Sequence, residues 1–417
     1  MKAIIMQVHE ALETNIALVY KSVFIGETAY ILKNMDVEVQ ICDGTIQGCS
    51  INELIKVFCT SPELVIFVTE VQQSRLAKRV AEVCKLCCPS SKIMVIGRAT
   101  SFIPQYFMRK PFDAVHINGD REAAITKYIK YLRGEIDKQQ IANLCLIEED
   151  ECYVSDKIEW LAPEYWAVPD LSSLPIEAYR ELNQKQHPNR KLILGITAAK
   201  GCSYGCQYCG ASIEEGNVVR YGIVNRIIEW ANNISNEYMI QLWSPNIMSS
   251  TNWLRNFRNT YEEKNCTFLW RGVARITSID EEKIHEICRC NCREIAVGVE
   301  MLKKSTHYAL KGSEQQLLNA IELTKKYSIN LKCLLMLGYP GYHIEDVLYT
   351  IKFLKQYNLD YRITGYTPLQ ELKTMPINKL EKIMLENYDR RSYYHKACNI
   401  DSKLFYEIIS SNGENLL

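Results

Sequence analysis

The sequence predicts an α/β protein in two parts: an N-terminal, doubly wound parallel sheet of the Rossmann type, then a partial (β/α)6 barrel and a short helical tail. A chain of 417 residues is too long for one ordinary core. Short apolar runs alternate with amphipathic stretches along residues 1–134, and they alternate again along residues 191–367. We expect residues 135–190 to be a linker strap and residues 368–417 to be the tail.

In the first part, apolar runs predict five strands that are buried on both faces, and helices between them. The expected strands are Ala3–Val8, Val37–Ile41, Leu64–Val68, Ile93–Ile96 and Ala114–Ile117. The expected helices are Tyr20–Met35, Ile51–Phe58, Gln72–Cys87 and Arg121–Leu132. Ligands of such sheets bind at the carboxyl ends of the strands. The candidate binding loops are therefore Thr69–Gln73, Gly97–Ser101 and Asn118–Asp120.

The strap is expected to lack long helices, because Pro163, Pro169 and Pro175 interrupt it, and to hold one short helix near Ile176–Leu182. Six strands and five helices are then expected in the second part, too few for a complete eightfold barrel. The strands are Leu192–Thr197, Met239–Leu242, Thr267–Val273, Glu294–Val299, Asn330–Leu337 and Tyr361–Thr364. The helices are Ile223–Ile234, Thr251–Tyr261, Asp280–Cys290, Glu314–Lys326 and Ile344–Tyr357.

Composition excludes several classes of protein. Lys and Arg together number 49, as do Asp and Glu, so no basic surplus points to nucleic acid. No apolar run is long enough to span a membrane, and the N-terminus lacks the pattern of a signal peptide. These features predict a cytoplasmic protein. Its 17 cysteines are therefore expected to be thiols, and closely spaced ones are candidates for metal ligands.

One group of cysteines has the spacing of an iron–sulfur site. Cys202, Cys206 and Cys209 form a CxxxCxxC motif that directly follows the strand LILGIT and is flanked by glycines. Three thiolates can hold a [4Fe–4S] cube and leave one iron open. The alternative is a structural zinc ion, which needs a fourth ligand that no nearby His or Cys supplies. The motif therefore predicts a cluster with an open iron.

The segment ITAAKGCSYGCQYCG (196–210) resembles the cluster loop of the radical S-adenosylmethionine (SAM) superfamily. About residues 1–370 resemble the branch of that superfamily with an N-terminal cobalamin-binding domain. Four further segments carry this resemblance: IGRATSFIPQYFMRKPFDAVHINGDREAAI (96–125), AVPDLSSLPIEAY (167–179), AVGVEMLKKSTHYALKGSEQQLLNAI (296–321) and LLMLGYPGYHIEDVLYTIKFL (334–354). The resemblance implies three cofactors: a [4Fe–4S] cluster, SAM and cobalamin.

The resemblance also implies which residues contact those cofactors. Besides the three cysteines, Tyr208 of the cluster motif, Gly298 and Glu300 at a strand end, and Gly338 are expected to contact SAM. Arg275 ends another strand and is a candidate for a carboxylate of SAM or substrate. The structural alternatives are a solvated side chain for Glu300, a tight turn at Gly338 and a surface side chain for Arg275. Small or hydroxyl side chains should admit the corrin tail: Thr69, Gly97, Ser101 and Gly119.

The first domain departs from the family pattern in three places. The D-x-H-x-x-G loop of many cobalamin folds is absent, since residues 9–13 read HEALE. Arg98 stands where a second glycine is usual, which narrows the space for a corrin, and Asp120 replaces the usual Glu. The domain is therefore either loaded with cobalamin or a relic without a cofactor, and the retained small residues favour loading.

Other clusters are assigned to packing. Cys84, Cys87 and Cys88 have helical spacing and are expected in a core, as is His116 on its buried strand. Cys288, Cys290 and Cys292 cannot easily converge on a second cluster. The tyrosines of Tyr361–Tyr366 and Tyr388–Tyr394 are candidates to line a substrate channel.

The resemblance implies a cobalamin-dependent methyltransferase that acts on an unactivated carbon of a small-molecule or peptide substrate, with an external one-electron donor of the flavodoxin or ferredoxin type. One rival is a radical SAM enzyme that does not methylate and instead rearranges, cyclises, epimerises or forms a C–C or C–S bond. A methylthiotransferase would need a second cysteine triad in the first domain, and none is visible. A simple electron carrier leaves the barrel unexplained.

Overall fold

The computed structural model describes residues 1–9, 21–48, 50–149, 151–234, 236–304, 308–309, 311–386 and 401–414. The chain divides into two compact units. The first comprises Met1–Ile196, Gly201–Arg220 and Leu369–Tyr388, and the second comprises Thr197–Lys200, Tyr221–Pro368 and Asp389–Leu417. The expected stretch Tyr388–Tyr394 and residues 10–13 of the expected first loop lie outside the described residues.

The first unit is built on a seven-stranded sheet with the order β2-β1-β3-β4-β5-β6-β7. Pairing is parallel from β2 through β5 and antiparallel from β5 through β7. The order 2-1-3-4-5 is that of flavodoxin-like sheets, which bind ligands where the strand order reverses. The strands are β1 (Lys2–Gln7), β2 (Glu38–Asp43), β3 (Leu64–Val68), β4 (Lys92–Ile96), β5 (Ala114–His116), β6 (Leu144–Glu148) and β7 (Glu151–Val154).

Helices cover this sheet because their apolar faces need the buried strands as partners. The strand β3 is buried along its whole length, as the run LVIFV predicts. The helices are α1 (Glu27–Asn34, after a π-helical turn Lys21–Gly26), α2 (Gly44–Gln47), α3 (Ile51–Phe58), α4 (Ser74–Cys87), α5 (Arg98–Phe102), α6 (Pro104–Phe107), α7 (Arg121–Leu132) and α8 (Ile176–Gln186). The first unit also contains α9 (Ala211–Glu215), α15 (Leu369–Thr374) and α16 (Ile377–Glu386).

The predicted linker strap, residues 135–190, contains two strands that periodicity did not predict. The strands β6 and β7 form a hairpin there and extend the sheet beyond β5. The hairpin has a weak sequence signal, since its outer strand has only four residues, ECYV, and is mostly exposed. Cross-strand pairing with β5, rather than local propensity, therefore determines this part of the sheet.

The second unit contains the strands and helices of a partial barrel. Its six-stranded sheet has the order β18-β17-β13-β12-β11-β8, and the pairings from β11 through β18 are parallel. The strands are β8 (Ile193–Thr197, which carries the chain into this unit), β11 (Met239–Trp243), β12 (Trp270–Ala274), β13 (Cys292–Glu300), β17 (Asn330–Leu337) and β18 (Asp360–Gly365). The helices are α10 (Val224–Asn232), α11 (Thr251–Glu263), α12 (Glu281–Arg289), α13 (Glu314–Lys326), α14 (Ile344–Gln356) and, in the tail, α17 (Ser402–Ser410).

Short strands complete the secondary structure. The pair β9 (Ala199–Lys200) and β10 (Arg220–Tyr221) forms a two-stranded sheet around the cysteine motif. A three-stranded antiparallel sheet follows β13 and consists of β14 (Leu302–Lys303), β15 (Tyr308–Ala309) and β16 (Gly312–Ser313). The sequence did not predict this small sheet, because two-residue strands carry no periodicity.

We expect His116 to make the first unit sensitive to acid. Burial lowers the pKa of this imidazole to about 4, whereas an unfolded chain takes up the proton near pH 6.5. The contribution of the neutral His116 to the free energy of unfolding is therefore fully present above pH 6.5, and it is lost as the pH falls toward 4. Between pH 7 and pH 5 the loss should be about 2 kcal/mol. Urea unfolding at several pH values in this range measures the slope of the free energy of unfolding against pH.

The variant His116→Asn should lose most of this slope, because Asn does not titrate in the range. The matched control is His285→Gln, since His285 is exposed on α12 and should leave the slope as it is in the parent protein. An unchanged slope in His116→Asn would assign the acid sensitivity to other groups.

Candidate cluster and cofactor site

The three motif cysteines lie in a closed loop of the first unit. None of the three forms a disulfide, and all three are half-buried. The backbone N–H of Cys202 donates to the carbonyl of Gly216 at 3.0 Å, and the N–H of Gly201 donates to Oε2 of Glu215 at 3.2 Å. Gly201 has a φ of +85°, and a Cβ there would lie 2.1 Å from the carbonyl oxygen of Val218. Only glycine therefore allows residues 201–216, called the cluster loop below, to close in this way.

The donor set of the motif is three cysteine thiols, the ligand type of iron–sulfur clusters. Among the described residues, no three of His, Cys, Asp and Glu are arranged to hold one ion. A zinc ion requires that convergence, whereas the thiolates of a [4Fe–4S] cube each bind a different iron and stay further apart. The motif supplies three half-buried thiols in one loop, and thiolates are the ligands that iron–sulfur clusters prefer. Tyr208, between the second and third cysteines, is also half-buried.

The end of the cluster loop packs on the carboxyl edge of the N-terminal sheet, within the same unit. A Cβ on Gly210 would lie 2.1 Å from the ring of Phe102, so that ring rests directly on the glycine. Arg98, which the sequence suggested would crowd a corrin, donates through Nε to Glu214 of α9 at 3.1 Å. Asp120 forms an ion pair with Arg220. Thus the loops after β4 and β5 both contact the chain around the cysteines.

The residues expected around the corrin tail lie at the ends of β3, β4 and β5. The N–H of Thr69 donates to Ile96 at 2.9 Å, and the carbonyl of Thr69 accepts from Ala99 at 3.1 Å. Gly97 has a φ of +113°, and a Cβ there would lie 2.5 Å from the Thr69 carbonyl oxygen. Ser101 is buried in α5. The structure therefore brings Thr69 and Gly97 together, with Ser101 on the helix that begins beside them.

Gly119 lies in the next loop and is equally constrained. Its φ is +66°, and a Cβ there would lie 2.3 Å from Oδ1 of Asn143. Its carbonyl oxygen lies 3.1 Å from Nε2 of His116. Both glycines are thus required by close approach of protein atoms.

Two buried oxygens at this edge fit an additional ligand. Oγ1 of Thr69 and Oδ1 of Asn118 have no hydrogen-bond partner among the residues that the structure describes. A buried polar atom without a partner costs free energy, and such atoms call for a ligand or an ordered water. Both follow strands whose carboxyl ends bind ligands in sheets of this order. The edge therefore fits the polar tail of a bound cofactor.

In the second unit, Gly298 and Glu300 form a compact site with Lys311. Oε1 of Glu300 lies 2.7 Å from Nζ of Lys311, and both side chains are largely buried. A Cβ on Gly298 would lie 2.6 Å from that Nζ, so the lysine side chain lies directly against the glycine. Glu300 has a φ of +62°, at a bulge in the pairing of β13 with β17. This strained, buried carboxylate is unlike a solvated Glu at a strand end.

The other two residues expected to bind SAM also follow strands of the second unit. Gly338 comes directly after β17 with a φ of +94°. Arg275 comes directly after β12 and is half-buried; its N–H donates to Oδ1 of Asn246 at 3.3 Å. The carboxyl ends of barrel strands are where ligands bind. A role for either residue remains a prediction.

The remaining cysteines lie mainly in packed interiors. Cys84, Cys88, Cys290 and Cys292 are buried, and Cys87 and Cys288 are half-buried. Burial raises the pKa of the Cys84 thiol to about 12 and also raises that of Cys292, which keeps both protonated. These features agree with packing residues.

Sequence reasoning did not identify Arg220, Glu214 or Lys311 as parts of these sites. Arg220 and Glu214 lie just past the cysteines, but their partners are 100 and 116 residues away in the chain. Lys311 stands beside Gly312 in a segment that carried the resemblance. The position of Lys311 in that segment is the one sequence signal that points to this residue.

Comparisons with known proteins agree with this organisation. The family model described as "Radical SAM superfamily" matches residues 196–354. An uncharacterized methyltransferase of Pyrococcus horikoshii is 22% identical over 343 residues, which cover 79% of this chain and 72% of that protein. The predicted resemblance to the radical SAM superfamily is thereby confirmed.

Two solved structures share the fold. The radical SAM methyltransferase TsrM from Kitasatospora setae, with cobalamin and a [4Fe–4S] cluster bound, has a TM-score of 0.67 and 14% identity; the match covers 88% of this chain and 77% of that one. The cobalamin-dependent radical enzyme OxsB, with aqua-cobalamin bound, has a TM-score of 0.68 and 15% identity, covering 100% and 61%. The predicted fold class is confirmed. None of the described helices is both long and apolar enough to cross a membrane.

Proposed function

We propose that the chain is a radical SAM enzyme and, more specifically, a cobalamin-dependent methyltransferase acting on an unactivated carbon of a small molecule. The observation that carries the proposal is the contact between the cluster loop and the sheet edge that holds two unsatisfied buried oxygens. The likeness to TsrM and OxsB over most of the chain supports it.

Each residue has a definite task in this proposal. Cys202, Cys206 and Cys209 would hold the cluster. Tyr208 and Glu300 would bind SAM, the carboxylate by accepting hydrogen bonds. When bound, the cluster and SAM would supply the radical chemistry that removes hydrogen from the substrate, and cobalamin would supply the methyl group. A flavodoxin- or ferredoxin-type protein supplies the electron.

The remaining predicted residues shape the two binding edges. Gly338 lets the backbone approach SAM, and Arg275 is placed to pair with a carboxylate of SAM or substrate. Thr69 and Asn118 would donate to or accept from the corrin tail, since their oxygens have no other described partner. Ser101, Gly97 and Gly119 are small residues that would leave room for that tail.

We expect the purified protein, after incubation with hydroxocobalamin, to retain about one corrin per chain through gel filtration, with a base-off spectrum. The spectrum should be base-off because the D-x-H-x-x-G pattern that would supply a histidine ligand is absent from residues 9–13. The variant Thr69→Val should lower retention, because it replaces the unsatisfied hydroxyl with a methyl group of similar size.

The matched control for that experiment is Thr28→Val. Thr28 is also fully buried, but its hydroxyl already donates to the carbonyl of Phe24 at 2.7 Å and has no part at the sheet edge. Equal retention by both variants would remove Thr69 from the site. A parent protein that retains no corrin but still cleaves SAM with its substrate would contradict methyl transfer.

The rival function without methylation is distinguished by the products. The observation that favours the rival is Arg98, which stands where a second glycine is usual in the family and pairs with Glu214 at 3.1 Å. The reconstituted enzyme should release methylated product and S-adenosylhomocysteine together with 5′-deoxyadenosine. Release of 5′-deoxyadenosine alone, with an unmethylated product, would establish the rival.

A further inference from the structure

We propose that Asp120 and Arg220 are positioning residues that fix the shape of the cluster loop from the sheet edge. The inference rests on the proposed function in that it takes Cys202, Cys206 and Cys209 as cluster ligands. Neither residue needs to touch the cluster or SAM. The pair instead joins the loop after β5 to the segment that closes the cluster loop, all within the first unit.

The pair has the geometry of a strong, directed interaction. Nη1 of Arg220 lies 2.5 Å from Oδ2 of Asp120, and Nη2 lies 3.1 Å from Oδ1. Two parallel hydrogen bonds of this kind fix orientation as well as distance. The carboxylate is 3% exposed and the guanidinium 16% exposed, so water competes little for either group. Loss of one partner would leave the other charge buried.

Surrounding groups hold both partners in place. The N–H of Leu161 donates to Oδ2 of Asp120 at 2.7 Å, and Nδ2 of Asn143 donates to the Asp120 carbonyl at 3.0 Å. The Arg220 guanidinium lies 5.0 Å from the ring centroid of Trp160 and 5.6 Å from that of Trp166. Such rings attract a cation and restrict its rotation. The pair is thus anchored by the sheet and by the strap.

Two hydrogen bonds connect Arg220 with the residue that precedes Cys202. Nη2 of Arg220 donates to the carbonyl of Glu215 at 3.1 Å. The side chain of Glu215 accepts from the N–H of Gly201, the residue before Cys202, at 3.2 Å. The N–H of Cys202 in turn donates to Gly216. Fixing the backbone at Glu215 therefore fixes the end of the loop from which the first cysteine projects.

Asp120 lies in the same loop as two residues of the proposed corrin edge. Asp120 follows Asn118 and Gly119, which belong to the edge proposed for the corrin tail. The same loop therefore serves the edge and the cluster loop. An interaction made only for general stability would not need to lie there, and the carboxylate of Asp113, at the opposite end of β5, provides such an interaction with Lys85 at 2.7 Å.

The test compares Asp120→Asn, Arg220→Lys and the control Asp113→Asn, all first in metal-free protein. Hydrogen exchange measured by mass spectrometry reports how often the segment 201–216 opens. We expect exchange in that segment to be roughly tenfold faster in Asp120→Asn and Arg220→Lys, because one charge-assisted hydrogen bond is lost. Asp113→Asn should leave the segment unchanged and should loosen Ile93, whose N–H donates to Asp113 at 2.8 Å.

The variants are then reconstituted with iron and sulfide, and the electron paramagnetic resonance of the reduced cluster is recorded with and without SAM. Asp120→Asn and Arg220→Lys should show a broadened signal and a diminished shift on SAM addition, while Asp113→Asn should match the parent protein. Asp120→Glu, which keeps the charge, should restore part of the parent signal.

Outcomes separate this inference from the proposed function. If the parent protein forms no cluster, the proposed function fails while the exchange result still stands. If the parent forms a cluster but all three variants share its exchange rates and spectra, the positioning role is overturned. A general loss of stability equal in Asp120→Asn and Asp113→Asn, without a local effect at residues 201–216, would also overturn it.

Discussion

Replacing Cys202, Cys206 and Cys209 together with alanine should leave anaerobically reconstituted protein with almost no iron, where the parent protein should hold about four irons per chain. The brown absorbance and all SAM cleavage should disappear with the iron. The fold should survive, because the three thiols are half-buried in a loop and not part of a packed core. Iron analysis, visible absorbance and circular dichroism measure these effects.

The matched control removes three other accessible thiols. Cys59 and Cys152 are exposed and Cys87 is half-buried, and none belongs to the motif. Their joint replacement with alanine should leave iron content and SAM cleavage at parent levels. Retention of iron by the motif variant would contradict the cluster assignment, as would tightly bound zinc and no brown colour in the parent protein.

The variant Glu300→Gln should weaken SAM binding by roughly tenfold or more, since a charged hydrogen-bond acceptor is lost and Lys311 is left without its carboxylate. The shape of the side chain is kept, so a packing defect does not confuse the result. The cluster spectrum without SAM should match that of the parent, because the cysteines belong to the other unit. Equilibrium binding of SAM to the reconstituted protein measures the change.

A control for this experiment exists on the same strand. Glu294 lies near the start of β13 and pairs with Arg271 at 2.8 Å, an ion pair similar to that of Glu300. Glu294→Gln should leave SAM affinity unchanged, because ligands bind at the other end of barrel strands. Equal effects of the two variants would mean that Glu300 acts only through stability.

Periodicity predicted most elements of the fold. The helices Arg121–Leu132 and Glu314–Lys326 and the strands Leu64–Val68 and Asn330–Leu337 have the predicted bounds. For α13 the reason is local: Ser313 and Gln316 form a capping box that marks the first turn. Where the helix start carries no such signal, as at α1, the predicted and observed bounds differ because a π-helical turn precedes it.

The site was predictable only where chemistry is encoded in close spacing. Three cysteines within eight residues are enough to predict a metal site. The partner of Asp120 is an arginine 100 residues later, and nothing in the sequence around either residue selects the other. Likewise, Lys311 lies against Gly298. It belongs to the segment of a small sheet whose two-residue strands leave no periodic pattern in the sequence. Contacts made by tertiary structure are thus the part that pattern reasoning misses.

The grouping of Gly201–Arg220 with the N-terminal sheet limits where this gene can be cut or recombined. A truncation that starts at residue 191 would keep every cysteine of the motif but lose Phe102 and Asp120, against which that segment rests. Exchange of residues 1–190 for those of a homologue would need matching changes at Gly210 and Arg220. Chimaeras joined after residue 220 should therefore assemble iron more often than chimaeras joined just before the motif.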